Sequence, residues 1–217
     1  ITDTFDNTPD SDPALPAVRA WARAALDATP PALTSPVLAS ADEVDQVIAT
    51  AVTAQVAWAA RPAAERAQIL REAARRLEAK RGELVTVMAA EGGKTVAESD
   101  PEISEAIDFA RYYADSALEI APGAQSPHVD GASFTPSRVV LVTPPWNFPV
   151  AIPLGGVLAG LAAGSAVVIK PAHPTVGCVE VGLEALYEAG VPREACQVVR
   201  AADRTVGRAL VAHPDVE

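Results

Sequence analysis

Apolar residues recur at three- and four-residue intervals through the first half of the chain and in short unbroken blocks through the second. This change of period divides the sequence into a helical part and an alternating part. Ser40 and Glu43 form a capping-box pattern ahead of Val44, Val47, Ile48 and Ala51, which predicts a long amphipathic helix. Pro62 opens a second helix, whose inward stripe runs through Ile69, Ala73, Leu77, Leu84 and Met88 and which Gly92-Gly93 terminates. Ser99 with Glu102 opens a third, with Ile103, Ile107, Ala110, Ala114 and Ala117 on its buried face. Before these, residues 1–39 are rich in Pro, Asp and Thr and read as an extended lead-in. It holds one short helix, capped by Asp12 and begun at Pro13.

Residues 118–138 interleave Pro, Gly, Ser and Asp with isolated apolar positions, the pattern of a strand-and-turn arm. Beyond them Val139–Thr143 is a β-rich block, a helix-like stretch follows from Pro149, and Ala166–Ile169 is a second block. Thr175–Ala189 is helical with Gly190 as its stop, Gln197–Arg200 is strand-like and Thr205–Ala212 is helical. Alternation of this kind predicts an α/β fold, a partial Rossmann-like parallel sheet with strands buried on both faces, preceded by the helical segment 40–117 and the β-arm. His213-Pro214 and the residues after it read as a turn into a strand that is not completed. With Ile1 at the start and Met88, the only methionine, inside a predicted helix, the chain is expected to be a piece of a longer protein whose 139–217 part is cut short.

The formal charge of −11 repels phosphodiester backbones and anionic lipids, so nucleic acid is not an expected partner. The apolar run Val150–Ile169 approaches membrane-spanning length but carries four glycines and a proline, and it reads as buried core rather than a span. Two cysteines, Cys178 and Cys196, are too few for a disulfide framework, and no secretory signal is present. A reducing, cytoplasmic setting is expected. Neither cysteine falls at the strand end described next, and both read as small core residues. No role is assigned to His128 or His213, and no metal site is expected.

Candidate chemistry gathers where the first β-block ends. Thr143-Pro144-Pro145-Trp146-Asn147-Phe148-Pro149 occupies the C-terminal strand edge at which open α/β sheets bind ligands. The prolines stiffen the loop, Trp146 offers a flat apolar wall, and the Asn147 amide is a neutral donor suited to a developing oxyanion; alternatively, Asn147 caps the next helix. Gly156, Gly160 and Gly164 follow at four-residue spacing, after Gly155, and let that helix approach the sheet. Lys170-Pro171-Ala172-His173 brings a cation and an imidazole to the same edge.

Pro145–Pro149, Ile152-Pro153-Leu154-Gly155-Gly156 and Lys170-Pro171-Ala172 together resemble the aldehyde dehydrogenase superfamily. The resemblance extends back through Glu91-Gly92-Gly93-Lys94-Thr95, similar to the family's E-T-G-K stretch, and covers roughly residues 40–217. Ile107-Asp108-Phe109-Ala110-Arg111-Tyr112-Tyr113-Ala114 and Phe134-Thr135-Pro136 look most like Δ1-pyrroline-5-carboxylate dehydrogenases, including the dehydrogenase half of bifunctional proline-utilisation proteins.

The resemblance implies an NAD(P)-dependent enzyme whose cysteine thiolate attacks an aldehyde, whose nicotinamide takes a hydride and whose glutamate activates water. It gives Asn147 the oxyanion role. It gives Lys170 the adenosine ribose, Thr143 and Trp146 the lining of the cofactor cleft, and Gly207 a close backbone pass near the adenine. The small aldehyde it points to is glutamate semialdehyde, and it assigns residues 118–138 to contact with a second copy in a homo-oligomer. His173 stands where many members carry a glutamate that binds both ribose hydroxyls, which leaves NADP open beside NAD. The family's nucleophilic cysteine, general base and pyrophosphate-side Gly-Ser turn fall after Glu217. The chain alone is therefore expected to be inactive; the competing readings are an inert nucleotide-binding module and an assembly piece.

Overall fold

Strand β3 (Ala166–Ile169) lies at the centre of the structure, a computed structural model that describes residues 5–119 and 130–216. Its side chains are all buried, with Val167 and Ile169 in one apolar cluster and Ala166 and Val168 in another. Period-two geometry requires this of a strand covered on both faces. On one side β3 pairs in parallel with β2 (Val139–Val142) and on the other with β4 (Cys196–Val198), so that Val142 stands opposite Ile169 and Ile169 opposite Val198. After Val199 the chain changes partner: β5 (Arg200–Ala201) pairs in parallel with β1 (Val37–Leu38). Val216 forms a parallel bridge to Val139 at the other edge of β2.

One face of the sheet carries α2 (Ala41–Ala59) and α8 (Arg204–Val211), which close Val44, Ile48, Val206 and Leu210 over Leu38 and Val168. The other carries α6 (Ala151–Ala163) and α7 (Val176–Glu188), with α3 (Ala63–Ala79), α4 (Arg81–Gly92) and α5 (Val96–Glu119) packed against them. Helix α1 (Pro16–Asp27) packs on α4. This is the α/β arrangement with a parallel sheet that the apolar blocks predict. The apolar run from Val150 divides into α6 and β3, and among the described residues no helix is long and apolar enough to cross a membrane.

Several boundaries differ from the sequence reading, each for a local reason. The first helix begins at Pro16 rather than Pro13, because Asp12 closes a turn, its carbonyl accepting the Leu15 N–H and its carboxylate the Ala14 N–H. The second predicted helix is two helices. At Lys80 (φ −91°, ψ 7°) the chain turns Arg81 inward, where its buried guanidinium bonds to Glu78, Asp100 and Ser104. Apolar spacing stays in step across that break, so periodicity passes over it. The third begins at Val96, with Thr95 bonded to the Glu98 carboxylate, and Ser99 and Glu102 lie buried inside it. That helix runs to Glu119, so residues 118 and 119 belong to it rather than to an arm; residues 120–129 lie outside the described residues. The lead-in contains β1, a two-residue strand too short to show a period. The Ser40 cap is as expected, with its hydroxyl accepting the Glu43 N–H at 3.2 Å.

Helix α6 reaches the sheet through its glycines. A Cβ on Gly156 would stand 3.0 Å from Val142 Cγ1, and one on Gly160 would stand 2.8 Å from Val167 Cγ2. Gly164 ends the helix at φ 96°, a left-handed conformation that glycine adopts without strain. Gly160→Ala is therefore expected to cost about 1–3 kcal/mol by overpacking, read as a lower midpoint in urea or thermal unfolding. Gly207→Ala in α8, where a Cβ meets Ala201 Cβ at an ordinary 3.8 Å, is expected to add up to about 1 kcal/mol from helix propensity. Equal midpoints for the two variants would contradict the close seating of α6.

Candidate functional site

The Lys170 N–H donates to the Val142 carbonyl at 2.9 Å, so Thr143 and Lys170 leave neighbouring parallel strands side by side at their C-terminal edge. From Thr143 the loop climbs through Pro144 and Pro145 to a tip formed by Trp146, 57% exposed, Asn147 and Phe148, then returns to the interior at Pro149 and Val150. Asn147 does not cap the following helix. The N-cap of α6 is Val150, three residues on, and the Asn147 amide has no hydrogen bond among the described residues. Lys170 is half-buried, its ammonium 3.4 Å from the Pro171 carbonyl, and His173 is exposed in the 3-10 turn His173–Thr175. The structure thus brings Thr143, Trp146, Asn147, Lys170 and His173 to the loops after β2 and β3. Gly207 sits apart, inside α8 after β5.

Sequence reasoning missed the residues that hold this edge in place. Helix α6 has no capping side chain and no charge of its own in its end turns. The N–H groups of Val150 and Ala151 donate instead to Glu102 Oε1 at 2.7 and 3.0 Å, reaching across from α5. The other oxygen of Glu102 pairs with Lys94, whose ammonium stands 4.4 Å from the centre of the Phe148 ring. Lys94 is placed by the end of α4: Gly93 takes φ 65°, its N–H donates to the Ala89 carbonyl, and the Lys94 N–H donates to that of Met88. The sequence signals were the Glu91–Thr95 motif and the Ser99–Glu102 capping pattern, neither of which periodicity connects to a loop fifty or so residues away.

The helices that follow β3 and β5 are closed in the same way. Glu91 accepts the N–H groups of Gly177 and Cys178 at the start of α7, and Asp203 accepts those of Thr205 and Val206 at the start of α8. A Cβ on Gly177 would lie 2.6 Å from Glu91 Oε1, so that carboxylate needs the glycine. Helix N-termini at this edge commonly hold the pyrophosphate of a dinucleotide. Here a carboxylate occupies the first turn of α6, α7 and α8, which disfavours a phosphate at any of them.

Both cysteines are buried. Cys178 lies in the first turn of α7; burial, then the Glu91 carboxylate, push its thiol well above the ordinary range. Cys196 opens β4 opposite Val167, toward the far end of the sheet from Lys170, and burial pushes it up to about 12. Among the described residues no group of three or more His, Cys, Asp and Glu side chains can hold a metal ion. A cavity of about 680 Å³ lies between residues 5–10 and α5, lined by Asn7, Glu105, Asp108, Phe109 and Tyr112. Asp108, Phe109 and Tyr112 belong to the Ile107–Ala114 stretch, but none of Thr143, Trp146, Asn147, Lys170, His173 and Gly207 lines it.

The family model described as the aldehyde dehydrogenase family matches residues 27–217. A solved structure of proline utilization A from Corynebacterium freiburgense superposes with a TM-score of 0.84 at 43% identity, covering 99% of this chain and 21% of that one. A 1-pyrroline-5-carboxylate dehydrogenase of Bacillus pumilus is 36% identical over 81% of this chain and 35% of its own. A Mycolicibacterium smegmatis protein named putative succinate-semialdehyde dehydrogenase [NADP(+)] is 40% identical over 84% of this chain and 37% of its own. Across such curated relatives the chain spans between 12% and 37% of their length. With the strand-edge loop, the Lys170 strand end and the glycine-seated helix between them all falling inside the matched region, the chain belongs to the aldehyde dehydrogenase family.

Proposed function

We propose that this chain supplies the dinucleotide grip and the oxyanion donor of an NAD(P)-dependent enzyme that oxidises glutamate semialdehyde, the open form of pyrroline-5-carboxylate, to glutamate. The observation that carries the reading is the shared edge: the Thr143–Asn147 loop and Lys170 leave adjacent parallel strands. Aldehyde oxidation through a covalent adduct builds negative charge on the carbonyl oxygen. A neutral amide on a proline-stiffened loop stabilises that charge without reorganising, an effect worth about 3–4 kcal/mol for a single donor. Asn147 fills that role. Lys170 bonds the adenosine ribose, Trp146 and Thr143 wall the cleft, and Gly207 lets the cofactor's adenine end approach α8. When bound, the nicotinamide accepts the hydride.

The residues fit the adenosine end of the cofactor better than its phosphates. Carboxylates already hold the first turns of α6, α7 and α8, so the chain offers the pyrophosphate little beyond Lys170, and its affinity is expected to be weak. His173 brings no carboxylate to the ribose 2′ position, so it does not exclude a 2′-phosphate, and NADP remains a partner beside NAD. The name of the Mycolicibacterium smegmatis relative favours a second reading, oxidation of succinate semialdehyde with NADP. Both semialdehydes carry a carboxylate at the far end, and the assay below includes both.

Calorimetric titration with NAD and NADP is expected to give weak binding that Lys170→Ala abolishes while circular dichroism stays unchanged. Binding unaffected by Lys170→Ala would move the cofactor elsewhere. With dinucleotide and either pyrroline-5-carboxylate or succinate semialdehyde, the 217 residues alone are expected to produce no NADH or NADPH absorbance, because an attacking thiolate is required and both thiols are buried and protonated. Turnover that disappears in Cys178→Ala or Cys196→Ala would identify one of them as the nucleophile and overturn this assignment.

The same burial sets a pH dependence. Unfolded thiols ionise near pH 8.5 or so, whereas the folded thiols stay neutral, with Cys196 raised to about 12. The stabilisation is complete below the unfolded value and is lost as pH rises from there toward the folded one. Ellman's reagent at pH 8 is expected to label neither cysteine in the folded chain and both in guanidinium, and urea midpoints are expected to fall between pH 8 and pH 10.

A further inference from the structure

The tip of the Trp146–Asn147 loop is exposed, yet a half-buried cation and a buried carboxylate meet its downstream end on the two sides of Pro149. Upstream of Pro149, the Lys94 ammonium lies 4.4 Å from the Phe148 ring centre, within the range of a cation–π contact. Downstream, Glu102 accepts the N–H groups of Val150 and Ala151. The two grips are one unit, because Lys94 and Glu102 pair with each other, and the Glu102 side chain is only 1% exposed. Prolines at 144, 145 and 149 fix φ along the loop, so holding residues 148 and 150 leaves few torsions by which Trp146 and Asn147 can turn.

Capping alone does not require this arrangement. The first turn of α6 needs only an acceptor, and a neutral glutamine would provide one. A buried carboxylate demands a cation as well, and the cation present is set against the ring that directly follows Asn147. We propose that Lys94 and Glu102 are positioning residues that fix the direction of the Asn147 amide and the plane of Trp146 by clamping Phe148 and the first turn of α6 together. Only the catalytic consequence of this clamp rests on the function proposed above; its effect on the loop exists without any ligand.

The test uses the chain labelled with 5-fluorotryptophan, whose three tryptophans, Trp21, Trp58 and Trp146, give separate fluorine resonances, with Trp146 assigned from Trp146→Phe. Lys94→Met is expected to shift and broaden the Trp146 resonance and leave the other two in place. Phe148→Leu removes the ring but leaves the buried pair, and it is expected to do the same with an unchanged thermal midpoint. Glu102→Gln keeps an acceptor for α6 but releases Lys94, and is expected to move Trp146 as well. Lys94→Arg is expected to return the resonance toward its original position, since a guanidinium can pair with Glu102 and lie on Phe148.

A Trp146 resonance that stays put in both Lys94→Met and Phe148→Leu overturns the proposal. So do movements of all three resonances together with a lower midpoint in both variants, which mark a general role in folding. Dinucleotide titration on the same samples separates the two readings. No binding by the unsubstituted chain removes the proposed function and leaves the expected shifts standing, whereas intact binding with an unmoved Trp146 removes only the clamp.

Discussion

The structure depends on how the ends of α6 are satisfied. This thirteen-residue helix is apolar throughout and lies between the sheet and three other helices, with no side chain of its own to cap either end. Each helix terminus leaves several backbone groups without an internal partner, and leaving them buried and unpaired costs on the order of 1–3 kcal/mol each. The neighbours supply what α6 lacks. Glu102 meets its N–H groups, while at the other end Trp58 Nε1 donates to the Leu161 carbonyl at 2.9 Å, Gln55 to that of Gly164 and Arg66 to that of Ala162. An anion at the N-terminus and a cation at the C-terminus also match the helix dipole. Arg66 is 1% exposed, its bonds among the described residues go to carbonyls, including those of Ala59 and Arg61, and burial lowers its proton affinity. A guanidinium held this way ties the end of α2 to the end of α6, on opposite faces of the sheet.

That requirement sets the electrostatics of the strand edge. A helix N-terminus in an α/β sheet is a ready anion site, and a fold-level argument assigns it to the ligand's phosphates. Glu102, Glu91 and Asp203 have already taken those positions at α6, α7 and α8. In these helices the usual phosphate positions are therefore taken, and the loops at this edge present other groups: an exposed indole, an amide and one lysine. The chain keeps the architecture of a dinucleotide-binding sheet while using its helix ends for internal cohesion.

What the sequence revealed follows from the range of each interaction. The strands were legible because Ala166–Ile169 and Val139–Val142 are covered on both faces, which writes continuous apolar blocks into the chain. The seating of α6 was legible too, since Gly156 and Gly160 repeat at helical spacing on the face that meets Val142 and Val167. Residues acting across long separations were not. Ser99 and Glu102 matched the local capping template, but Glu102 is needed by α6, forty-eight residues on, and the helix starts at Val96 instead. The inward turn of Arg81 and the pairing of Val37 with Arg200 likewise answer partners that no local window contains.

The loop shows how the two kinds of information join. From spacing, Asn147 had two equal readings, a cap for the next helix or a free donor at the strand edge, because asparagine suits both. No local argument separates them. The structure does so through a distant residue: with Glu102 holding the Val150 and Ala151 N–H groups, the helix start lies three residues beyond Asn147 and has no use for its side chain. The amide stays at the exposed tip, neutral and unengaged among the described residues, on a backbone whose φ is fixed at prolines 144, 145 and 149 and whose downstream end bonds to Glu102. An uncharged donor that no bond occupies among the described residues is what stabilising a developing oxyanion requires, and this supports the role proposed for Asn147. On the proposal made above, an ion pair between Glu102 of α5 and Lys94, which precedes that helix, bears on the chemistry available to Asn147 without touching it.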